Sequence, residues 1–168
     1  DFAYTVDGDY EGEVAYENFN AASADFIIHG VNVHPGEAKD IMVNAALLAT
    51  EIVSRLPKAE TPAHTEGREG FYHLTDMSGD VAFAKLSFIV RDHDKDIFES
   101  RLNLLRTIEV EMNQEYGAGT VELTITHSYE NMLSVIEQHM DVIERAQNAI
   151  RESGLEPISR PVRGGTDG

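Results

Sequence analysis

The stretch Phe71 to Arg91, FYHLTDMSGDVAFAKLSFIVR, decides the fold because it contains two strand-like runs joined by a tight turn. Residues 78–80 (SGD) are typical turn formers, and the runs on either side are rich in aromatic and β-branched residues. In the second run apolar side chains alternate on one face, so Arg91 points to the opposite face. The stretch therefore predicts a β-hairpin of two strands, Phe71–Met77 and Val81–Arg91.

A strand and a helix are predicted before this hairpin. Residues 24–33 alternate with a period of two, which indicates a strand, and the sequence HPG at 34–36 interrupts it. Apolar residues then recur at helical spacing from Ile41 to Leu56, so we expect a helix that ends before Pro57. The segment 57–70 is rich in proline, glycine and charge, and we interpret it as a connector.

A second helix and a last strand are predicted after the hairpin. Asp94 or Asp96 can cap the helix, which is expected to end near Gly117. Residues 120–127 alternate again and form the last strand. The order strand, helix, strand, strand, helix, strand is that of the ferredoxin-like βαββαβ unit. The predicted fold class is therefore α+β, with a four-stranded antiparallel sheet and two helices on one face.

The flanking segments do not fit this unit. Residues 1–20 contain short strand-like pieces, and residues 133–153 have helical spacing. We expect residues 21–130 to form one domain, inserted into a second domain whose edges are residues 1–20 and 131–168. Such insertion is tolerated where the ends of a domain lie close together. The dense closing stretch RPVRGGTDG also suggests a chain cut from a longer protein.

The composition limits the partners of the chain. It has 30 Asp and Glu against 13 Lys and Arg, a formal net charge of -17. This charge repels phosphate backbones and anionic lipid surfaces, and no apolar run approaches the roughly 18 residues that a membrane span needs. Nucleic acid and membranes are therefore not expected as partners. The absence of cysteine excludes disulfides and thiolate zinc sites, and it fits a reducing cytoplasm.

A few positions have side chains suited to binding or catalysis. Asp7 follows the apolar run FAYTV and precedes a glycine, where it is either a turn residue or a metal ligand. His34 precedes a Pro-Gly pair and is either a cap or an anion-facing residue. Arg163 offers a planar fork beside the flexible Gly164 and Gly165, which suits a carboxylate or phosphate. The seven histidines include no HExxH motif, so no complete metal site is expected within the chain.

Seven short motifs, taken in order, resemble peptidase T, a family of bacterial zinc aminotripeptidases. They are TVDG (5–8), ENFNAAS (17–23), VHPG (33–36), MVNA (42–45), TEGREGFYHL (65–74), IVRDHD (89–94) and RPVRGGTDG (160–168). The resemblance covers essentially the whole chain. In that family a smaller lid or dimerisation domain interrupts a zinc-binding catalytic domain, so the resemblance implies the same arrangement here.

The resemblance also implies roles for individual residues. Asp7 matches a ligand of one of two zinc ions, and His34 matches a lid histidine that stabilises the oxyanion of the reacting carbonyl. Other positions match the substrate pocket, where arginine would bind a peptide carboxylate. These are Arg91, Arg163, Gly164 and Gly165.

The implied function is that of a cytoplasmic dizinc aminopeptidase, which releases the N-terminal residue of tripeptides and forms a homodimer through its lid. The remaining zinc ligands and the general base of the family are not present in this sequence, so the chain alone is expected to be inactive. Two alternatives stay open. One is a stand-alone ferredoxin-like module that binds a small anion, and the other is a related dizinc enzyme that acts on acyl-amino acids.

Overall fold

The computed structural model describes residues 2–6 and 10–166, which contain a four-stranded sheet with helices packed on one of its faces. In chain order the elements are β1 (Asn20–His29), α1 (Ala45–Ser54), β2 (Phe71–Gly79), β3 (Phe83–Asp92), α2 (Lys95–Tyr116), β4 (Val121–Tyr129), α3 (Leu133–Ile136) and α4 (Met140–Glu152). The predicted βαββαβ order is confirmed by β1 through β4 and the two helices between them.

The strands are arranged in the order β2-β3-β1-β4, and every neighbouring pair is antiparallel. The inner strands β1 and β3 supply much of the core, because alternate side chains such as Phe26, Leu86 and Phe88 are buried under α1 and α2. This confirms the predicted α+β class. Strands β2 and β4 are the two edges of the sheet.

Strand β1 begins and ends earlier than the predicted range 24–33. At its start, the Asn20 side chain donates a hydrogen bond of 3.1 Å to the backbone oxygen of Asp92, which extends the pairing with β3. Beyond its end, Gly30 passes so close to the neighbouring chain that a Cβ there would lie 2.0 Å from the Val81 oxygen. Only glycine fits such an approach, and the strand stops there.

Helix α1 begins at Ala45, so the prediction that it starts at Ile41 was wrong. Asn44 caps it, because its side-chain oxygen accepts a hydrogen bond of 3.2 Å from the backbone nitrogen of Leu47. Ile41 lies outside the helix and is 56% exposed. Its helical spacing from the buried α1 residues is therefore a coincidence of sequence.

The ends of α2 agree with the prediction, whereas the last predicted helix is divided. The carboxylate of Asp94 accepts hydrogen bonds from the first backbone nitrogens of α2, and Gly117, with a φ of 109°, follows its last residue. The predicted helix at 133–153 is instead the short α3, a single 3-10 turn at 137–139, and α4. Within α4 only Ile143 is buried.

The two flanks run side by side near the end of the sheet where β1 begins. The backbone nitrogen of Val14 donates to the oxygen of Ile158, and that of Val162 donates to Glu17, both at 2.8 Å. The segments that precede and follow the βαββαβ unit are therefore neighbours in space. The domain limits predicted above stay a prediction. Among the described helices, none combines the length and the apolar character needed to cross a bilayer.

Candidate active-site region

Arg91 and the glycine pair lie together at this end of the sheet. Arg91 pairs with Ala21 of β1, and its guanidinium carbon is 5.6 Å from the centre of the Tyr129 ring. A Cβ at Gly164 would be 3.8 Å from the Arg91 Nη1 atom, and one at Gly165 would be only 3.1 Å from the Tyr129 ring. Three of the predicted substrate-binding residues are thus close neighbours, and glycine at 165 allows the close approach.

Arg163, the fourth predicted substrate-binding residue, holds the connector. Its Nη1 donates to the backbone oxygens of Gly67 and Glu69, at 2.8 and 3.0 Å. Its Nη2 donates to Thr65, to the backbone oxygen at 3.2 Å and to the hydroxyl at 2.9 Å. The guanidinium also lies 5.3 Å from the Phe19 ring centre. Both terminal nitrogens are therefore used within the chain, and the predicted contact with substrate stays a prediction.

His34 lies beyond the opposite end of β1. Its Nδ1 accepts a hydrogen bond of 3.1 Å from the backbone nitrogen of Gly36, and it caps a single 3-10 turn at Pro35–Glu37. The ten residues of β1 separate the two ends of the sheet by about 30 Å. The structure therefore does not bring His34 together with Arg91. His34 is exposed, and its role in catalysis stays a prediction.

The predicted zinc ligand, Asp7, lies outside the described residues. Within residues 2–6 and 10–166 there is no group of three or more His, Asp, Glu or Cys side chains that could hold a metal ion. The described part of the chain thus assembles no metal site of its own.

A buried ion pair fixes the last residue of β3, next to Arg91. The Arg101 Nε donates to the Asp92 carboxylate at 2.8 Å, and the same guanidinium bonds to Glu60 of the connector. The side chains of Arg101 and Asp92 are only 11% and 4% exposed. Burial disfavours the charge of Arg101, but its hydrogen bonds to the two carboxylates outweigh this and raise its pKa.

Buried asparagines tie the segments that enter and leave the sheet at this end. Asn20 accepts a hydrogen bond of 2.9 Å from the backbone of Asn131, whose side chain donates to the His93 oxygen at 3.1 Å. Asn18 accepts from the backbone of Met132 at 2.7 Å. This network leaves no signal in the sequence, because its partners are about 40 to 110 residues apart and no local pattern relates them.

Tyr129 is the site residue that sequence reasoning missed. The last strand was predicted to end at His127, but β4 continues to Tyr129 and pairs there with Ala21. The Tyr129 hydroxyl is buried and has no hydrogen-bond partner among the described residues. Burial raises its pKa, and the nearby charge of Arg91 offsets this only in part.

Residues 16–120 match the family model described as a peptidase dimerisation domain. The chain is 52% identical to peptidase T of Clostridium perfringens (strain SM101 / Type A) and 50% identical to peptidase T of Caldanaerobacter subterraneus subsp. tengcongensis. Both alignments cover 168 residues, which is 100% of this chain and 41% of each relative. The chain thus spans less than half the length of these relatives.

Solved structures have the same fold. Aminopeptidase PepT from Bacillus cereus ATCC 10987 aligns with a TM-score of 0.75, at 20% sequence identity, over 96% of this chain and 43% of that one. A tripeptidase from Staphylococcus aureus subsp. aureus Mu50 aligns with a TM-score of 0.78, at the same identity and coverage. The family resemblance inferred from seven motifs is confirmed. The chain belongs to the peptidase dimerisation domain family and is homologous over its whole length to peptidase T.

Proposed function

We propose that this chain is the dimerisation part, with its junctions, of an aminopeptidase that releases the N-terminal residue of tripeptides. The observation that carries the proposal is the 52% identity with a peptidase T over all 168 residues. In this proposal residues 21–130 are the lid, and residues 1–20 and 131–168 belong to the catalytic domain. The pairing of the two flanks supports this division, since an inserted domain needs neighbouring ends.

Arg91 is the proposed binding group for the C-terminal carboxylate of the peptide. Within residues 2–6 and 10–166 no carboxylate forms an ion pair with Arg91, and its guanidinium lies against the Tyr129 ring and near Gly164. A guanidinium can bind a carboxylate through two parallel hydrogen bonds, which fixes one end of a peptide. A fixed distance from that end to the reacting bond would favour short peptides. Arg163 would contribute positive charge nearby, because both of its terminal nitrogens already hold the connector.

The proposed zinc site depends on Asp7 and on residues outside this chain. Zinc would act as a Lewis acid and activate a water molecule in the full-length enzyme. Within residues 2–6 and 10–166 there is no cluster of such ligands, so the metal would be held by Asp7 together with residues of the full-length enzyme. The chain alone is proposed to be inactive.

The edge strand β2 is the proposed dimer interface. It has an unpaired outer edge, and exposed apolar side chains flank it, including Met77 at 44% and Leu47 of α1 at 64% exposure. Two copies that pair through β2 would continue the sheet and cover this apolar surface. We expect Met77→Lys to shift sedimentation of the full-length protein toward the monomer. Val110→Lys, at a 53% exposed position on α2, is the control. An unchanged dimer in the Met77 variant would exclude this edge.

A dimer through β2 would also explain the separation of His34 from Arg91. A tripeptide spans only about 10 Å when extended, so one chain cannot place both residues on the same peptide across about 30 Å. A twofold axis makes the paired edge strands antiparallel. The start of β2 in one copy, near Arg91, then lies beside the end of β2 in the other copy. We therefore propose that Arg91 and the partner's His34 serve one active site.

Peptide hydrolysis by the full-length protein tests the proposed function. The substrates are a tripeptide, the same tripeptide with a C-terminal amide, a dipeptide and an N-acyl amino acid. We expect release of the N-terminal residue from the free tripeptide, loss of activity with a chelator, and recovery with zinc. Cleavage of the acyl-amino acid alone would favour the related dizinc enzyme. Anion binding without any hydrolysis would favour the stand-alone module.

A further inference from the structure

The Tyr129 hydroxyl is the only buried side-chain polar atom without a hydrogen-bond partner in the described part of the chain. A buried donor left unpaired is unfavourable, so folded proteins rarely keep one without a reason. Other buried polar groups at this end of the sheet are paired, as the contacts of Asn18 and Asn20 show. The orphaned hydroxyl therefore marks a position whose partner is absent from the described residues.

The packing of the Tyr129 ring does not explain why this position has a hydroxyl group. The Tyr129 ring receives the Arg91 guanidinium at 5.6 Å from its centre and lies against Gly165. A phenylalanine ring would provide both contacts equally well, since both depend on the ring alone. The oxygen itself lies where a Cβ at Gly165 would be 3.3 Å away, so the glycine backbone covers it.

Strand pairing brings the side chains of Tyr129 and Arg91 to the same face of the sheet. Both residues pair with Ala21 of the intervening strand β1, so their side chains share one face of the sheet. The methyl side chain of Ala21 leaves room for the guanidinium to reach the ring across β1. The hydroxyl and the guanidinium are therefore hydrogen-bond donors on the same face of the sheet, and burial raises the pKa of the Tyr129 phenol above its ordinary value.

We propose that the Tyr129 hydroxyl is a second donor to the peptide carboxylate held by Arg91, and so a residue that selects peptides with a free C-terminus. The inference rests on the proposed function, in which Arg91 binds that carboxylate. A carboxylate has about four lone-pair positions, so it can accept both the guanidinium fork and the hydroxyl. Gly165, which covers the hydroxyl, must shift when the peptide binds.

The substitution Tyr129→Phe in the full-length enzyme tests the inference, because it removes only the oxygen. We expect the KM for the free tripeptide to rise about tenfold, the KM for the amidated tripeptide to stay constant, and the melting temperature not to fall. An unchanged ratio of the two KM values would overturn the inference. A variant that fails to fold would overturn it as well, since the hydroxyl would then have a structural partner.

Two further variants separate the possible failures. In Tyr116→Phe the lost hydroxyl donates to Glu51 at 2.8 Å, away from the site, so it should leave the KM ratio unchanged. In Arg91→Ala the enzyme should lose its preference for the free tripeptide. If the Arg91 variant keeps that preference, the proposed carboxylate site is wrong. If Arg91→Ala loses the preference for the free tripeptide while Tyr129→Phe keeps it, the carboxylate site stands and only the role proposed for Tyr129 is wrong.

Discussion

At the scale of single residues, long side chains connect segments that are distant in the sequence. Arg163 shows this most clearly, because one guanidinium bonds to three residues of the connector. Its anion-binding character was evident from the sequence, but its acceptors were not, since no pattern shows where the carbonyl oxygens of a loop point. The direction of Arg91, in contrast, followed from the alternation of β3, because the period of a strand fixes which face each side chain occupies.

We predict that Arg163→Met destabilises the 168-residue chain by about 2 kcal/mol, since methionine keeps an apolar stem but loses every hydrogen bond to the connector. Protease should also cut the segment 57–70 faster. Urea unfolding and limited proteolysis measure these effects. Arg151→Met is the matched control, because Arg151 is exposed and bonds to Asn148 of its own helix. Equal stability of the two variants would show that the hydrogen bonds from Arg163 to the connector do not contribute to stability.

At the scale of elements, the buried faces of the strands and helices were predictable, and the residues at which these elements begin and end were less so. The hairpin was predicted from the alternation of apolar residues in its strands. Helix α2 was predicted from its helical spacing and from the aspartate that caps it. The starts of β1 and α1 were misplaced. Asn20 extends β1 through a contact with Asp92. Asn44 caps α1, which begins at Ala45, four residues after the first apolar position, Ile41. Such ends depend on single side chains, which periodicity does not register.

The buried pair between α2 and β3 gives a prediction for an element junction. Arg101→Ala should destabilise the chain by about 3 kcal/mol, because it leaves the buried Asp92 carboxylate without its charged partner. Arg106→Ala on the same helix is the control, since Arg106 is exposed and bonds only to Asn103 within α2 among the contacts described. Denaturant unfolding of both variants measures the difference. If Arg101→Ala lowered the free energy of unfolding no more than Arg106→Ala does, the ion pair between Arg101 and Asp92 would not stabilise the fold.

The contact between α1 and α2 gives a prediction about pH. Burial disfavours the charged Glu51 carboxylate, but hydrogen bonds from Arg55 and Tyr116 outweigh burial and lower its pKa below the ordinary 4.5. Because the pKa of Glu51 is lower in the folded than in the unfolded chain, its charge stabilises the fold at any pH above the ordinary pKa. This contribution is lost as the pH falls through the pKa of the folded state. Wild type should therefore lose more stability than Glu51→Gln between about pH 6 and 3. Parallel stability curves from unfolding at each pH would contradict this.

At the scale of the whole molecule, the sequence predicted the order of strands and helices, and hence the sheet, because few arrangements suit a βαββαβ pattern. The relation between the predicted site residues was not predictable. His34, Arg91 and the glycine pair were assigned to one pocket by resemblance, yet the length of β1 separates His34 from the others. In the proposed dimer, a second copy paired along β2 would place its own His34 on the side of the sheet end where Arg91 lies, so that one active site would be shared between two chains.

Mixing two inactive variants of the full-length enzyme tests that claim most directly. Homodimers of His34→Ala and of Arg91→Ala should each be nearly inactive toward the free tripeptide. After unfolding and joint refolding, each mixed dimer would combine an intact Arg91 with the partner's His34 in one of its sites. We predict that activity recovers to about a quarter of the wild-type value, as random pairing of equal amounts requires. No recovery, with mixed dimers shown to be present, would contradict a site shared between two chains.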